Sequence, residues 1–156
     1  MVITSLETLF YLLENNIEKI ASILASYKGV DWINIMSPIK KENYNENKYC
    51  KILINKNENF DMYLIIWLTN AKSPIHDHPN GGCVVKILSG NLIENIYQNV
   101  NDQAVFVSEN QLKENQISIK YGKEYLHQIT NPSIKAISLH VYFPPNYKQN
   151  IYKQIN

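Results

Sequence analysis

From Lys48 to Phe143 the chain is cut into short runs rich in β-branched and aromatic residues, with turn residues between them. This spacing constrains the fold more than any other feature. The runs are Lys48–Asn55, Phe60–Thr69, Val84–Leu88, Asn91–Tyr97, Ala104–Val107, Gln116–Ile119, Leu126–Thr130 and Ile134–Phe143. Between them stand Asn-rich residues 55–59, Ser89-Gly90-Asn91, Asn101-Asp102, Tyr121-Gly122 and Asn131-Pro132. Six to eight strands in about 100 residues leave no room for the crossover helices a parallel sheet requires. The pattern predicts a mainly β chain, an antiparallel sandwich or jelly roll, with its first two strands as a hairpin.

The segment before the strands reads as helical. Thr4 and Glu7 form a capping box, with Thr4 as N-cap, and Leu6, Leu9, Phe10 and Leu13 follow at helical spacing. Asn15-Asn16 marks a break and a second cap, and Ile17, Ile20, Ile23 and Leu24 carry the pattern on to Tyr27. Gly29 is expected to close that helix in the left-handed region. A further turn is expected around Asp31–Met36, then an exposed polar loop over 40–48. One domain covers 1–156, with helices about 4–36 and strands about 48–145.

Composition excludes several function classes. The net charge is +1 and charged residues are 19%, so bulk charge provides no drive toward nucleic acid or a membrane surface. The longest apolar run, Met62–Leu68, falls far short of the ~20 residues of a membrane span. Two cysteines, Cys50 and Cys83, make no disulfide framework, and the N-terminus has no basic stretch ahead of Glu7. A soluble cytoplasmic monomer is the expectation.

The four histidines concentrate the chemistry. His76 and His78 sit two apart in Ile75-His76-Asp77-His78-Pro79, so in an extended segment both imidazoles face one side and Asp77 the other. His127 must come from a neighbouring strand to complete a metal-binding triad. Imidazole suits Fe, Zn, Cu and Ni alike. In the last long run, Ser138, His140 and Tyr142 alternate and project to one face, where they can form a Ser–His–Tyr relay.

The chain resembles the cysteine dioxygenase family, the thiol dioxygenase branch of the cupin superfamily. The matching residues are Ile75–His78, Cys83, Lys86–Leu92 with Glu94, Leu126-His127 with Asn131, and Ser138–Tyr142 with Pro144-Pro145. Tyr49, Lys51, Phe60 and Trp67 add weaker support upstream. The resemblance implies a cupin barrel and a three-histidine Fe(II) site of His76, His78 and His127. It implies L-cysteine and O2 as partners and cysteine sulfinate as product. Tyr142, held by His140 and Ser138, would face substrate, and Cys83 would lie beside the Tyr142 ring, where a thioether can form. Most cupins carry a Glu ligand at the position of Cys83. Its loss leaves a divalent ion its full charge for a thiolate substrate to balance.

The chain departs from the family at three places. Lys51 stands where the family usually has an Arg that binds the substrate carboxylate, and Lys keeps the charge but not the bidentate fork. All 15 basic residues are Lys, so drift explains the swap more readily than a new substrate, with Tyr49 as a second carboxylate partner. Eleven residues follow Pro145, which predicts a more open site, and Gly81-Gly82 predicts a flexible one. Alternatives are a dioxygenase for another small thiol such as 3-mercaptopropionate, and a three-histidine zinc cupin acting as hydrolase or lyase.

Overall fold

The structure is a computed structural model that describes residues 1–155. Three helices come first: α1 (Leu6–Tyr11), α2 (Ile17–Ser26) and α3 (Trp32–Met36). Eleven strands follow: β1 (Tyr49–Lys56), β2 (Asp61–Trp67), β3 (Ile75–His76), β4 (Cys83–Ser89), β5 (Leu92–Val100), β6 (Gln103–Leu112), β7 (Ile117–Lys120), β8 (Tyr125–Thr130), β9 (Ala136–Tyr142), β10 (Ile151–Tyr152) and β11 (Gln154–Ile155). They form two sheets, ordered β1-β2-β9-β4-β7 and β10-β3-β8-β5-β6-β11. All pairings are antiparallel except β11 with β6.

The central strands of the first sheet, β2, β9 and β4, are buried on both faces. Strand β9, at its centre, is buried along its whole length. Met62, Leu64 and Ile66 of β2, with Ile137, Leu139 and Val141 of β9, turn outward and pack under the helices. Their alternate neighbours Ile65, Trp67, Ala136 and Tyr142 turn inward with Cys83, Val85 and Ile87 of β4. The helices therefore cover one face of a two-sided strand pair, and the inward face is left for the site. This is why Ser138 and His140 are buried rather than facing water.

Two details of the helical segment differ from the sequence reading. The N-cap of α1 is Ser5, not Thr4: the Ser5 hydroxyl accepts from the Thr8 amide at 3.1 Å. Helix α2 is capped by Asn16, as expected, through the Lys19 amide at 3.1 Å. Gly29 does not adopt the left-handed conformation. It is needed because the N-terminal segment runs alongside: Ile3 bridges Tyr27, and a Cβ on Gly29 would strike the Thr4 carbonyl. Buried Lys86 on β4 closes α2 instead, donating to the carbonyls of Leu24 at 3.0 Å, Ala25 at 3.3 Å and Tyr27 at 2.6 Å.

Candidate metal centre and active site

The second sheet places the histidines. His76 on β3 pairs directly with His127 on β8, and His78 follows in the loop, its amide bound to the Gly122 carbonyl at 2.9 Å. The Nε2 atom of His127 lies 3.0 Å from those of both His76 and His78. All three rings are buried, and their nearest nitrogens lie within 4.8 Å of one another.

The outer nitrogens fix the tautomers. His76 Nδ1–H donates to the Pro74 carbonyl at 2.9 Å, and His127 Nδ1–H donates to the Glu94 carboxylate at 2.8 Å. A carbonyl and a carboxylate only accept, so in neutral rings both Nε2 atoms carry bare lone pairs. Burial pulls the His76 pKa down to about 4, and pulls His78 and His127 well below the ordinary range, so the rings are neutral near pH 7. Bare lone pairs 3.0 Å apart repel unless a cation lies between them. The donor set fits a divalent transition metal.

Glu94, diagonal to His127 across the β5–β8 pair, also accepts from Ser118 at 3.2 Å and pairs with Lys120 at 3.3 Å. Glu94 belongs to the motif around Lys86–Leu92, where nothing in the sequence assigns it a role. Its position two residues from Ile96, the cross-strand partner of His127, was invisible before the register was known. Asp77 turns away from the rings, as expected, and meets the C-terminal segment. It accepts from the hydroxyls of Tyr147 and Tyr152 and from both nitrogens of Asn150, each at 2.8 Å. Burial works to raise its pKa, and these hydrogen bonds outweigh burial and hold it below the usual value. Strand β10 adds to β3 beside them. The short tail after Pro145 thus packs along the ligand strand and brings Gln149 to the cavity wall. Gly81 is equally tight: a Cβ there would strike the Phe143 carbonyl.

A cavity of about 40 Å³ lies against the triad, lined by Tyr49, Lys51, Trp67, Cys83, His140 and Tyr142 among others. Cys83 on β4 pairs across the sheet with Tyr142 on β9. Burial raises the Cys83 thiol to about 12 and the Tyr142 phenol well above its ordinary value, so both stay protonated. The indole N–H of Trp67 donates to Ser138 Oγ at 2.8 Å, which frees the Ser138 hydroxyl proton for His140 Nε2 at 2.7 Å. Burial holds His140 down at about 3. The rings of His140 and Tyr142 stack with centroids 6.3 Å apart, so the Ser138–His140 link extends toward Trp67 rather than reaching the phenol. Lys51 is an exposed residue whose ammonium lies over the Tyr63 and Tyr142 rings. Tyr49 packs on Trp67 at 5.0 Å between centroids. Asn131 locks a turn, donating to Trp67, Leu68 and Ile134 carbonyls. Buried Cys50 stands apart from the cavity-lining residues.

The sequence profile described as "Cysteine dioxygenase type I" matches residues 1–155. Cysteine dioxygenase type 1 of Homo sapiens is 30% identical over 140 residues, which is 85% of this chain and 67% of that protein. Its namesake from Bos taurus is 28% identical over 152 residues, 92% of this chain and 73% of that one. Among solved structures, a Klebsiella pneumoniae protein with a double-stranded β-helix domain superposes with a TM-score of 0.58. That match covers 77% of this chain and 89% of the other at 14% identity, a likeness of fold alone. With a profile match reaching from residue 1 to residue 155 and a metal-ready triad of histidines on a cupin barrel, the chain belongs to the cysteine dioxygenase type I family of dioxygenases.

Proposed function

We propose that the chain is a non-haem Fe(II) thiol dioxygenase that oxidises L-cysteine to cysteine sulfinate and works as a monomer in the cytoplasm. The observation that carries this reading is the donor set: three neutral imidazoles with no carboxylate among them. Such a set leaves a divalent ion its full charge, which a thiolate substrate is suited to balance. The reaction adds both oxygen atoms of O2 to one sulfur, so RSH and O2 give RSO2H and no other reductant is consumed. When bound, Fe(II) would supply positions for the thiolate and amine of cysteine and for O2.

The chain's own groups do the rest. His76, His78 and His127 hold the metal, and Pro74 and Glu94 orient two of those rings. The Lys51 ammonium binds the substrate carboxylate, with the Tyr49 hydroxyl as a second partner. The Tyr142 phenol, kept protonated by burial, donates a hydrogen bond toward substrate. Ser138 fixes the His140 tautomer and so the polar wall beside Tyr142. A cavity of about 40 Å³ holds a few water-sized groups, which restricts substrates to small thiols. The cross-strand pairing of Cys83 with Tyr142 supports a thioether between them. That bond replaces the thiol S–H and a ring C–H, and O2 takes up the two electrons and two protons to leave as H2O2.

The test is O2 consumption by the Fe(II)-loaded protein with L-cysteine, with the product read by NMR. Uptake with sulfinate formation is the expected result. A folded, iron-holding protein that consumes no O2 with L-cysteine but does so with 3-mercaptopropionate would transfer the reading to that thiol. Stoichiometric zinc with no uptake for any thiol would overturn it in favour of a hydrolase or lyase.

A further inference from the structure

Lys51 faces Ile65 across the β1–β2 pair, at the mouth of the cavity. Its Nζ lies 4.3 Å from the centroid of the Tyr63 ring and 4.7 Å from that of Tyr142. The two rings meet edge to face, with centroids 5.7 Å apart and planes at 86°. They form a corner of π faces around one ammonium. Close by is a carboxylate that the ammonium does not engage. Asp61 opens β2, pairs with Tyr142 and is 2% exposed. Its Oδ2 accepts from the Asn146 amide at 2.9 Å and Oδ1 is buried with no close partner, while the carboxylate lies near enough to the Tyr63 hydroxyl to add to the burial that raises the Tyr63 pKa. Ion pairs among the described residues are Lys19–Glu14 and Lys120–Glu94, so Lys51 and Asp61 do not close on each other.

We propose that Tyr63 is a positioning residue that holds the Lys51 ammonium on its π face, charged and with its N–H donors free, for the carboxylate of an incoming thiol. The inference rests on the function proposed above for the substrate it names. Lysine is a compact charge on a flexible stem and lacks the pre-organised fork of arginine. A ring face restrains that charge electrostatically without consuming a directed N–H bond. An ion pair with Asp61 would do the opposite: it would spend donors and neutralise the charge meant for substrate. Asp61, which does not pair with the ammonium, still favours its charged form and so offsets part of the burial that lowers the Lys51 pKa. Tyr63 thereby makes Lys51 serviceable where an arginine is usual.

The experiment has two readouts. In metal-free protein carrying 13C-labelled lysine, ring currents from Tyr63 and Tyr142 are expected to move the Lys51 ε-methylene upfield, with the resonance assigned by its absence in Lys51→Ala. Tyr63→Leu should carry it most of the way back toward the other lysines, and Tyr63→Phe should keep it shifted. In the iron-loaded enzyme, Tyr63→Leu should raise KM for L-cysteine by about fivefold, with a smaller effect on kcat and on KM for cysteamine. Tyr63→Phe should restore the KM. A Lys51 resonance unshifted in the wild-type protein, or equal KM changes for both thiols, overturns the proposal. Should the enzyme oxidise neither thiol, the functional reading falls by itself. The ring-current shift still decides whether Tyr63 holds the ammonium, because it needs no metal and no turnover.

Discussion

His127 shows how much of the site depends on atoms behind the ligands. Its Nδ1–H is held by Glu94 at 2.8 Å, and Glu94 is itself held by Ser118 and Lys120. Glu94→Gln keeps the shape but loses the charge and one acceptor. Its metal affinity should fall about 10- to 100-fold, read by chelator competition. Lys51→Ala should raise KM for L-cysteine about tenfold and leave KM for cysteamine, which has no carboxylate, much less affected. Equal losses for the two thiols would remove Lys51 from the site. For Cys83 and Tyr142, paired across β4 and β9, the expected signature of a thioether is a second gel band of altered mobility. Cys83→Ser and Tyr142→Phe should each abolish it.

At the scale of elements, β4 and α2 are tied by one side chain. Lys86 is 1% exposed and serves three carbonyls at the end of α2. Lys86→Met keeps the stem and orphans those carbonyls. The loss should be about 2–3 kcal/mol in urea unfolding. Burial brings the Lys86 ammonium down to about 8, against about 10.4 in an unfolded chain. Between those values the folded state binds fewer protons than the unfolded one, so this group makes stability rise with pH. Comparing urea midpoints at pH 7 and 9.5, that component should vanish in Lys86→Met. Asp77 ties another pair of elements, β3 and the C-terminal segment. One residue between two of the histidines thus anchors the C-terminal segment beside the site.

At the scale of the molecule, one sheet buries its outer face under helices and turns its inner face to the cavity, while the other carries the histidines. A metal that binds only the assembled triad stabilises the whole barrel by mass action. At a free metal concentration about 100 times Kd, the gain is about 2.7 kcal/mol. For a domain of this size that amounts to a Tm about 5–10 °C above the chelator-treated protein. Calorimetry with and without chelator checks this, and His76→Ala should show no difference between the two.

The sequence by itself determined the strand-rich class, the helix breaks at Asn16 and before Asp31, and the identity of the three histidines. These are local matters: turn residues punctuate strands, caps punctuate helices, and side chains two apart in an extended segment share a face. Strands β3, β10 and β11 were not legible, since two-residue pairings leave no periodic signal. Tertiary structure decided what depends on register and on who covers whom. The all-buried pattern of β9 comes from helices on one side and a cavity on the other, so its polar residues meet Trp67 rather than water. Glu94 behind His127, Asp61 beside Tyr142 and Tyr63 under Lys51 are juxtapositions across strands. Residues far apart in the chain become neighbours only once the sheets pair, and the charge each one feels is set by that neighbour.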